Sequence, residues 1–185
     1  FIVVTRNFDD EEKAVLEKNK TEVKEYPIAV DGIGFIVNPK NPVKKVTSDD
    51  LKNIFTGKFT KWTEIKSDQD KSQDEEAGKF FKGSIDKIKL FIQRKNSSTY
   101  DYVLDSILKK TEYSNTAVVC STSAQVLYNV RNIENAIGII NMNWLTTGNA
   151  DTIDSTVKTL KVSRIGDNGR QYDFAEFHQG LIYNA

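Results

Sequence analysis

Short apolar segments alternate along the chain with amphipathic segments that carry helix-capping signals. Six apolar segments have the length of buried strands: FIVV at 1–4, IGFIV at 33–37, IDKIKLFIQ at 85–93, TAVVC at 116–120, NAIGIINMNWL at 135–145 and TVKTLKVSRI at 156–165. Strands that alternate with helices form α/β domains in which most strands run parallel. We therefore predict an α/β fold with a mixed, largely parallel sheet flanked by helices.

Capping signals mark where the intervening helices begin. Thr47 is followed three residues later by Asp50, and Thr122 by Gln125, and both pairs match the capping-box pattern. The segment 9–20 carries acids first and lysines later, which suits a helix dipole. Residues 98–110 place five apolar side chains at helical spacing, namely Tyr100, Val103, Leu104, Ile107 and Leu108. Residues 67–84 are mostly polar and charged, and we predict an exposed insertion there.

The stretch FIQRKNSSTYDYVL at 91–104 joins a predicted strand to a predicted helix. In parallel sheets, ligands bind beyond the carboxyl ends of strands, where loops lead into helices. The helix start offers unpaired backbone N–H groups, Ser97, Ser98 and Thr99 add hydroxyls, and Arg94 adds a positive charge, all of which suit an oxyanion. An ordinary N-cap by Asn96 or Ser97, with Arg94 in solvent, explains the same residues.

A second junction repeats this pattern near the start of the chain. Thr5 and Arg6 follow the apolar segment 1–4 and precede a predicted helix. An ordinary capped turn accounts for them equally well. Two such junctions in one α/β chain favour a shared anion site, although only modestly.

Composition and residue counts exclude several other classes of protein. The chain has 185 residues, with 26 basic and 26 acidic side chains, and this neutral balance disfavours a duplex-binding protein. No apolar stretch reaches the roughly 20 residues of a membrane-spanning helix. The single cysteine, Cys120, excludes an internal disulfide, and the single histidine, His178, excludes a metal site built from several histidines. No nucleophile-elbow motif is present, so we predict a non-enzymatic protein without a cofactor or metal.

Several stretches together resemble one family, the substrate-binding proteins of phosphate ABC transporters, which are the PstS-like group of type 2 periplasmic binding proteins. These stretches are TRNFDDEEKAVLEK, YPIAVDGIGFIVNPKNPVKKVTSDDLKNIFTGKFTKWTEI, KNSST at the start of a helix, and NAIGIINMNWL. The resemblance covers roughly residues 1–145. It implies a two-lobed clamp that closes on inorganic phosphate.

The resemblance also implies roles for individual residues. Ser97 and Thr99 match the family's phosphate-binding hydroxyls, and Ser98 stands where many members have glycine. Thr5 matches a serine or threonine near the hinge, and Arg6 stands where some members have an aspartate and others an arginine. The family's usual arginine position is occupied here by Gln93, one residue before Arg94. The implied phosphate-binding set is therefore Ser97, Ser98, Thr99, Arg94, Thr5 and Arg6.

The resemblance further implies how the chain is organised and used. Residues 1–185 would form a single α/β domain, the second lobe of the clamp, with hinge strands near 1–35 and 158–185. A first lobe would precede Phe1. The implied partners are phosphate or a related oxyanion and an ABC transporter permease, in the periplasm or cell envelope, with a lipid anchor upstream. An envelope sensor or protein-interaction module on the same fold is the alternative function.

Overall fold

The structure is a computed structural model of the chain, and it describes residues 3, 8–29, 31–67, 75–95, 97–146, 154–164 and 169–175. The chain divides into two compact units, Phe1–Val30 and Asp31–Ala185. The predicted strand at 1–4 lies mostly outside the described residues.

The first unit contains helix α1, Asp10–Lys18. Its N-cap is Asp9, whose side chain accepts a hydrogen bond from the backbone of Glu12, while the Glu12 side chain accepts one from the backbone of Asp9. This reciprocal pair is a capping box, and it satisfies two backbone donors that the helix itself leaves unpaired. The predicted helix in the segment 9–20 is therefore confirmed.

The second unit contains the remaining described helices and strands. In chain order these are β1 (Ile33–Val37), β2 (Lys45–Thr47), α2 (Ser48–Phe55), α3 (Glu75–Phe80), β3 (Lys89–Gln93), α4 (Ser98–Ser106), β4 (Val118–Cys120), α5 (Ser123–Asn132), β5 (Ala136–Asn141), β6 (Lys158–Thr159) and β7 (Lys161–Ser163). Short 3-10 turns at Trp62–Glu64, Gly83–Asp86 and Met142–Trp144 connect some of them.

The main sheet has five strands in the order β4-β3-β5-β1-β6. Strand β3 pairs in parallel with both β4 and β5, whereas β1 is antiparallel to β5 and to β6. Four strands thus point one way and β1 alone points the other. A second, two-stranded parallel sheet joins β2 to β7. The predicted mixed, largely parallel sheet flanked by helices is confirmed.

Both faces of the main sheet are covered by helices, so its central strands are apolar on both sides. One buried cluster contains Phe35, Ile92 and Ile139 together with residues of α2 and α4. The other contains Ile36, Phe91 and Ile140, which are their neighbours along the same strands, together with residues of α5. Because side chains of a strand alternate between faces, each of these strands supplies both clusters.

Helix α2 begins where the sequence predicts, after Thr47. The Thr47 hydroxyl accepts from the Asp50 N–H at 3.1 Å, and the Asp50 carboxylate accepts from the Thr47 N–H at 2.9 Å. Leu51 and Ile54, on the apolar face, are fully buried. Gly57 follows the helix with a φ of +79°, a conformation that glycine adopts without strain.

Several predicted elements are shorter in the structure, including the strands predicted at 116–120 and 135–145, which cover only Val118–Cys120 and Ala136–Asn141. The segment 85–93 is a strand only over Lys89–Gln93, because residues Gly83–Asp86 form a 3-10 turn in which Asp86 accepts hydrogen bonds from Thr63. The segment 98–110 is helical only over Ser98–Ser106. Lys109 and Lys110 have φ values of 52° and 61°, which no right-handed helix contains.

Two further segments differ from the pattern that the sequence suggests. The segment 156–165 forms β6 and β7 rather than one strand, and Leu160 between them donates its N–H to the Phe35 carbonyl. The two short strands belong to different sheets. Within the polar segment 67–84, residues Glu75–Phe80 form α3. Among the described residues, no helix is long and apolar enough to cross a membrane.

The packing of α5 on the sheet depends on Gly138 in β5. A Cβ atom at this position would lie 2.5 Å from Val126 Cγ1 and 3.0 Å from Val130 Cγ2. We expect Gly138→Ala to lower the free energy of unfolding by about 1–3 kcal/mol, because α5 must move away from the sheet. Urea unfolding followed by circular dichroism measures this.

Gly78→Ala is the matched control for this substitution. Gly78 is exposed within α3, and a Cβ atom there would have nothing within 4 Å. Alanine at an exposed helical position stabilises a protein by about 0.5–1 kcal/mol relative to glycine. Equal stability changes for the two variants would contradict the close approach of α5 to the sheet.

Candidate functional site

Polar side chains gather at the edge of the main sheet where the parallel strands end. Gln93, Cys120 and Asn141 are the last residues of β3, β4 and β5. Gln93 is paired with Cys120, and Ile33 at the start of the antiparallel β1 is paired with Asn141. Asp31, two residues before Ile33, therefore lies at the same edge. We call this region the carboxyl edge.

Helix α4 starts at the carboxyl edge, directly after β3. Ser97 is its N-cap, and the Ser97 hydroxyl accepts from the Tyr100 N–H at 3.1 Å. The Ser97 carbonyl accepts from the Asp101 N–H at 3.0 Å. The backbone N–H groups of Ser98 and Thr99 have no acceptor among the residues that the structure describes. These donors, together with the helix dipole, give the first turn of α4 a partial positive charge.

The three hydroxyls of this turn differ in their surroundings. The Ser97 hydroxyl accepts the Tyr100 N–H, which leaves its own proton available to another acceptor. Ser98 is half-buried, and its hydroxyl has no partner among the described residues. Thr99 is buried, and its hydroxyl donates to Asn141 Oδ1 at 2.7 Å. Two of the three hydroxyls can therefore donate to an anion without giving up a bond.

Asn141 continues this contact to the start of β1. Its Nδ2 group donates to Asp31 Oδ2 at 2.8 Å, so Thr99, Asn141 and Asp31 form a chain of two hydrogen bonds. The sequence analysis did not select Asn141 as a site residue. One signal in the sequence could identify Asn141. It lies near the end of a predicted buried strand, and in parallel sheets ligands bind beyond such strand ends.

Helix α5 also starts at the carboxyl edge, after β4. Thr122 is its N-cap and accepts from the Gln125 N–H at 3.2 Å, as predicted. The Gln125 side chain accepts from the Ser121 N–H rather than from Thr122, so the predicted capping box is only half formed. Gln93 donates to the Ser123 hydroxyl at 2.7 Å and thereby ties the end of β3 to the first turn of α5.

Of the other predicted site residues, the structure describes only Arg94. Arg94 is exposed, and its carbonyl accepts from the Ser97 N–H at 3.3 Å. Thr5, Arg6 and Asn96 lie outside the described residues. The part of Arg94, Thr5 and Arg6 in anion binding therefore remains a prediction.

Burial raises the pKa of three groups in this part of the protein, the hydroxyls of Tyr100 and Tyr113 and the thiol of Cys120. The Tyr113 hydroxyl donates to the Tyr100 carbonyl at 3.0 Å, and burial raises the pKa of Tyr113 well above its usual value. Burial, followed by the nearby Glu112 and Asp101, also raises the pKa of Tyr100. Burial raises the pKa of the Cys120 thiol, and this outweighs the opposite effect of the hydrogen bond that the thiol accepts from Asn129.

The arrangement as a whole supplies hydrogen-bond donors rather than reactive groups. Across the described ranges, no group of three or more His, Cys, Asp or Glu side chains is placed to hold a metal ion. What the carboxyl edge offers is a helix N-terminus, two available hydroxyls and several amide groups. Such a set suits the binding of a compact oxyanion.

Comparisons with curated proteins identify similar sequences. The phosphate-binding protein PstS of Staphylococcus haemolyticus is 32% identical over 114 residues, which cover 60% of this chain and 31% of that protein. The phosphate-binding protein PstS 2 of Streptococcus agalactiae is 45% identical over 53 residues, which cover 26% of this chain and 18% of that protein.

Comparisons with solved structures identify similar folds. A candidate phosphate ABC transporter substrate-binding protein from Clostridium perfringens, solved with bound phosphate, has a TM-score of 0.62 and 27% identity over 85% of this chain and 53% of that one. PstS from Borrelia burgdorferi has a TM-score of 0.57 and 20% identity over 85% of this chain and 55% of that one, which shows a shared fold. The chain spans about half the length of these structures.

A model of the PBP superfamily domain matches residues 1–176, which is nearly the whole chain. This match and the similar proteins confirm the resemblance to PstS-like binding proteins that the sequence analysis identified. The chain belongs to the PBP superfamily.

Proposed function

We propose that this chain captures inorganic phosphate, or a related oxyanion, at the carboxyl edge and passes it to an ABC transporter permease without a catalytic step. The observation that carries the proposal is the first turn of α4. There, the N–H groups of Ser98 and Thr99 and the hydroxyls of Ser97 and Ser98 are available beside the ends of β3 and β5. The phosphate-binding proteins to which the chain is similar support phosphate as the anion.

Hydrogen bonds of this kind are strong enough to hold an anion. A hydrogen bond to a charged group contributes about 1.5–3 kcal/mol. Three or four such bonds, added to the helix dipole, reach the range in which small anions bind measurably after the cost of association is subtracted. Arg94, and Thr5 with Arg6, would add further bonds in this proposal.

We also propose a cellular setting and a place in a larger protein for this chain. We place the protein in the periplasm or cell envelope, held there by a lipid anchor, and we assign residues 1–185 to the second lobe of a clamp. Hinge strands near 1–35 and 158–185 would join this lobe to the first, and residues 67–84 would be a surface insertion. Closure of two lobes about a hinge is the usual way in which such proteins trap a ligand.

Calorimetric titration of the chain tests the proposed ligand. We expect heat of binding on addition of phosphate and none on addition of chloride at matched ionic strength, because only the oxyanion has several acceptors for the α4 donors. Sulfate serves as a second oxyanion. A folded chain, verified by circular dichroism, that takes up neither phosphate nor sulfate at millimolar concentration would contradict the proposal and favour a protein-interaction module.

Substitution of Ser98 tests the location of the site. We expect Ser98→Ala to weaken phosphate binding roughly ten- to a hundredfold, which corresponds to one charge-assisted hydrogen bond. Ser106→Ala is the matched control, since Ser106 ends the same helix and is also half-buried. Equal affinities for the two variants would show that the anion binds away from the α4 N-terminus.

A further inference from the structure

The hydrogen-bonded chain Thr99–Asn141–Asp31 carries an inference that rests on the proposed function and deepens it. We propose that Asn141 is a positioning residue for the anion site. In this proposal, Asn141 uses the Thr99 hydroxyl to hold the first turn of α4 at the carboxyl edge. Thr99 then donates its backbone N–H to the anion and its hydroxyl proton to Asn141.

The direction of each hydrogen bond in this chain is fixed by the group before it. The Asn141 group that faces Asp31 is the NH₂ group, which donates to Asp31 Oδ2 at 2.8 Å. The carbonyl oxygen of the Asn141 amide then faces Thr99. This oxygen only accepts, so the Thr99 hydroxyl must donate its single proton to it, at 2.7 Å.

Burial supports the same assignment. Thr99 is 1% exposed, whereas Ser97 and Ser98, the two residues before it, are half-buried. A hydroxyl removed from water in this way requires a partner, and Asn141 supplies it. An anion that took the Thr99 proton would leave the Asn141 oxygen without its donor, at a cost that offsets the new bond.

The two hydrogen bonds of Thr99–Asn141–Asp31 join parts of the protein that are far apart in sequence. Thr99 and Asn141 are 42 residues apart, and Asn141 and Asp31 are 110 residues apart. The two bonds connect the first turn of α4 to the end of β5 and to the segment that leads into β1. They therefore fix where the N–H groups of Ser98 and Thr99 stand relative to the sheet.

A double-mutant cycle on phosphate affinity tests this role. We expect Asn141→Leu and the isosteric Thr99→Val each to weaken phosphate binding about five- to tenfold, because either change releases the α4 turn. The double variant should bind as weakly as either single variant and no more weakly. Thr99→Ser keeps the hydroxyl and should restore most of the affinity that Thr99→Val loses. Thermal unfolding of each variant separates these effects from loss of the fold.

Two results in this cycle would overturn the inference. One is wild-type affinity in Asn141→Leu. The other is a further tenfold loss when Thr99→Val is added to Asn141→Leu, since a hydroxyl that contacts the anion directly still matters when Asn141 is gone. In both cases phosphate binding by the unaltered chain would stand, so the proposed function would survive the failure of the inference.

A measurement without ligand tests the Thr99–Asn141 hydrogen bond directly. It applies even if a variant at Asn141 does not fold, or if the unaltered chain binds no phosphate. In the ¹⁵N–¹H spectrum of the unliganded chain, the side-chain amide signal of Asn141 should shift in Thr99→Val and stay near its original position in Thr99→Ser. An unchanged signal in Thr99→Val would show that the Thr99 hydroxyl does not bond to Asn141, and would overturn the inference independently of binding.

Discussion

The parallel pairing of β3 with β4 and β5 is the constraint on which the rest of the structure depends. Parallel neighbours end at the same edge, so the helices that follow β3 and β4 also start at that edge. Because β1 is antiparallel to β5, β1 begins at this edge, and Asp31, two residues before β1, lies there too. Gly138 lets α5 pack closely on the sheet, and α2 and α4 cover the opposite face. The polar carboxyl edge is thus a consequence of strand direction.

The fold class could be predicted because its signals are local and strong. Strand Ile33–Val37 is one uninterrupted apolar segment, and α2 is bounded by Thr47 and Gly57, so both were located correctly. The segment 156–165 is predicted incorrectly as one strand, because its division into β6 and β7 depends on pairing with strands that are distant in sequence. Lys158 and Thr159 pair with β1, while Lys161 to Ser163 pair with β2. An apolar pattern shows that a segment can be a strand, but it does not show which sheet accepts it.

The candidate site could be predicted only in part, for a related reason. The helix start at Ser97 is visible in the sequence because a serine before an amphipathic segment is a local capping signal. The partner of the Thr99 hydroxyl is not visible, since Asn141 is reached only when β3 and β5 are paired. Sequence shows which donors and acceptors exist, whereas the fold decides which of them are already used. The structure thereby separates three hydroxyls that looked equivalent.

The central claim is that the first turn of α4, at the carboxyl edge, binds an oxyanion. Titration of the ¹⁵N-labelled chain with phosphate, followed by backbone amide chemical shifts, tests it most directly. We expect the largest shifts at the N–H groups of Ser98 and Thr99, with smaller shifts at Gln93 and Asn141. Saturable shifts that fall elsewhere on the chain, with those of Ser98 and Thr99 unchanged, would contradict it.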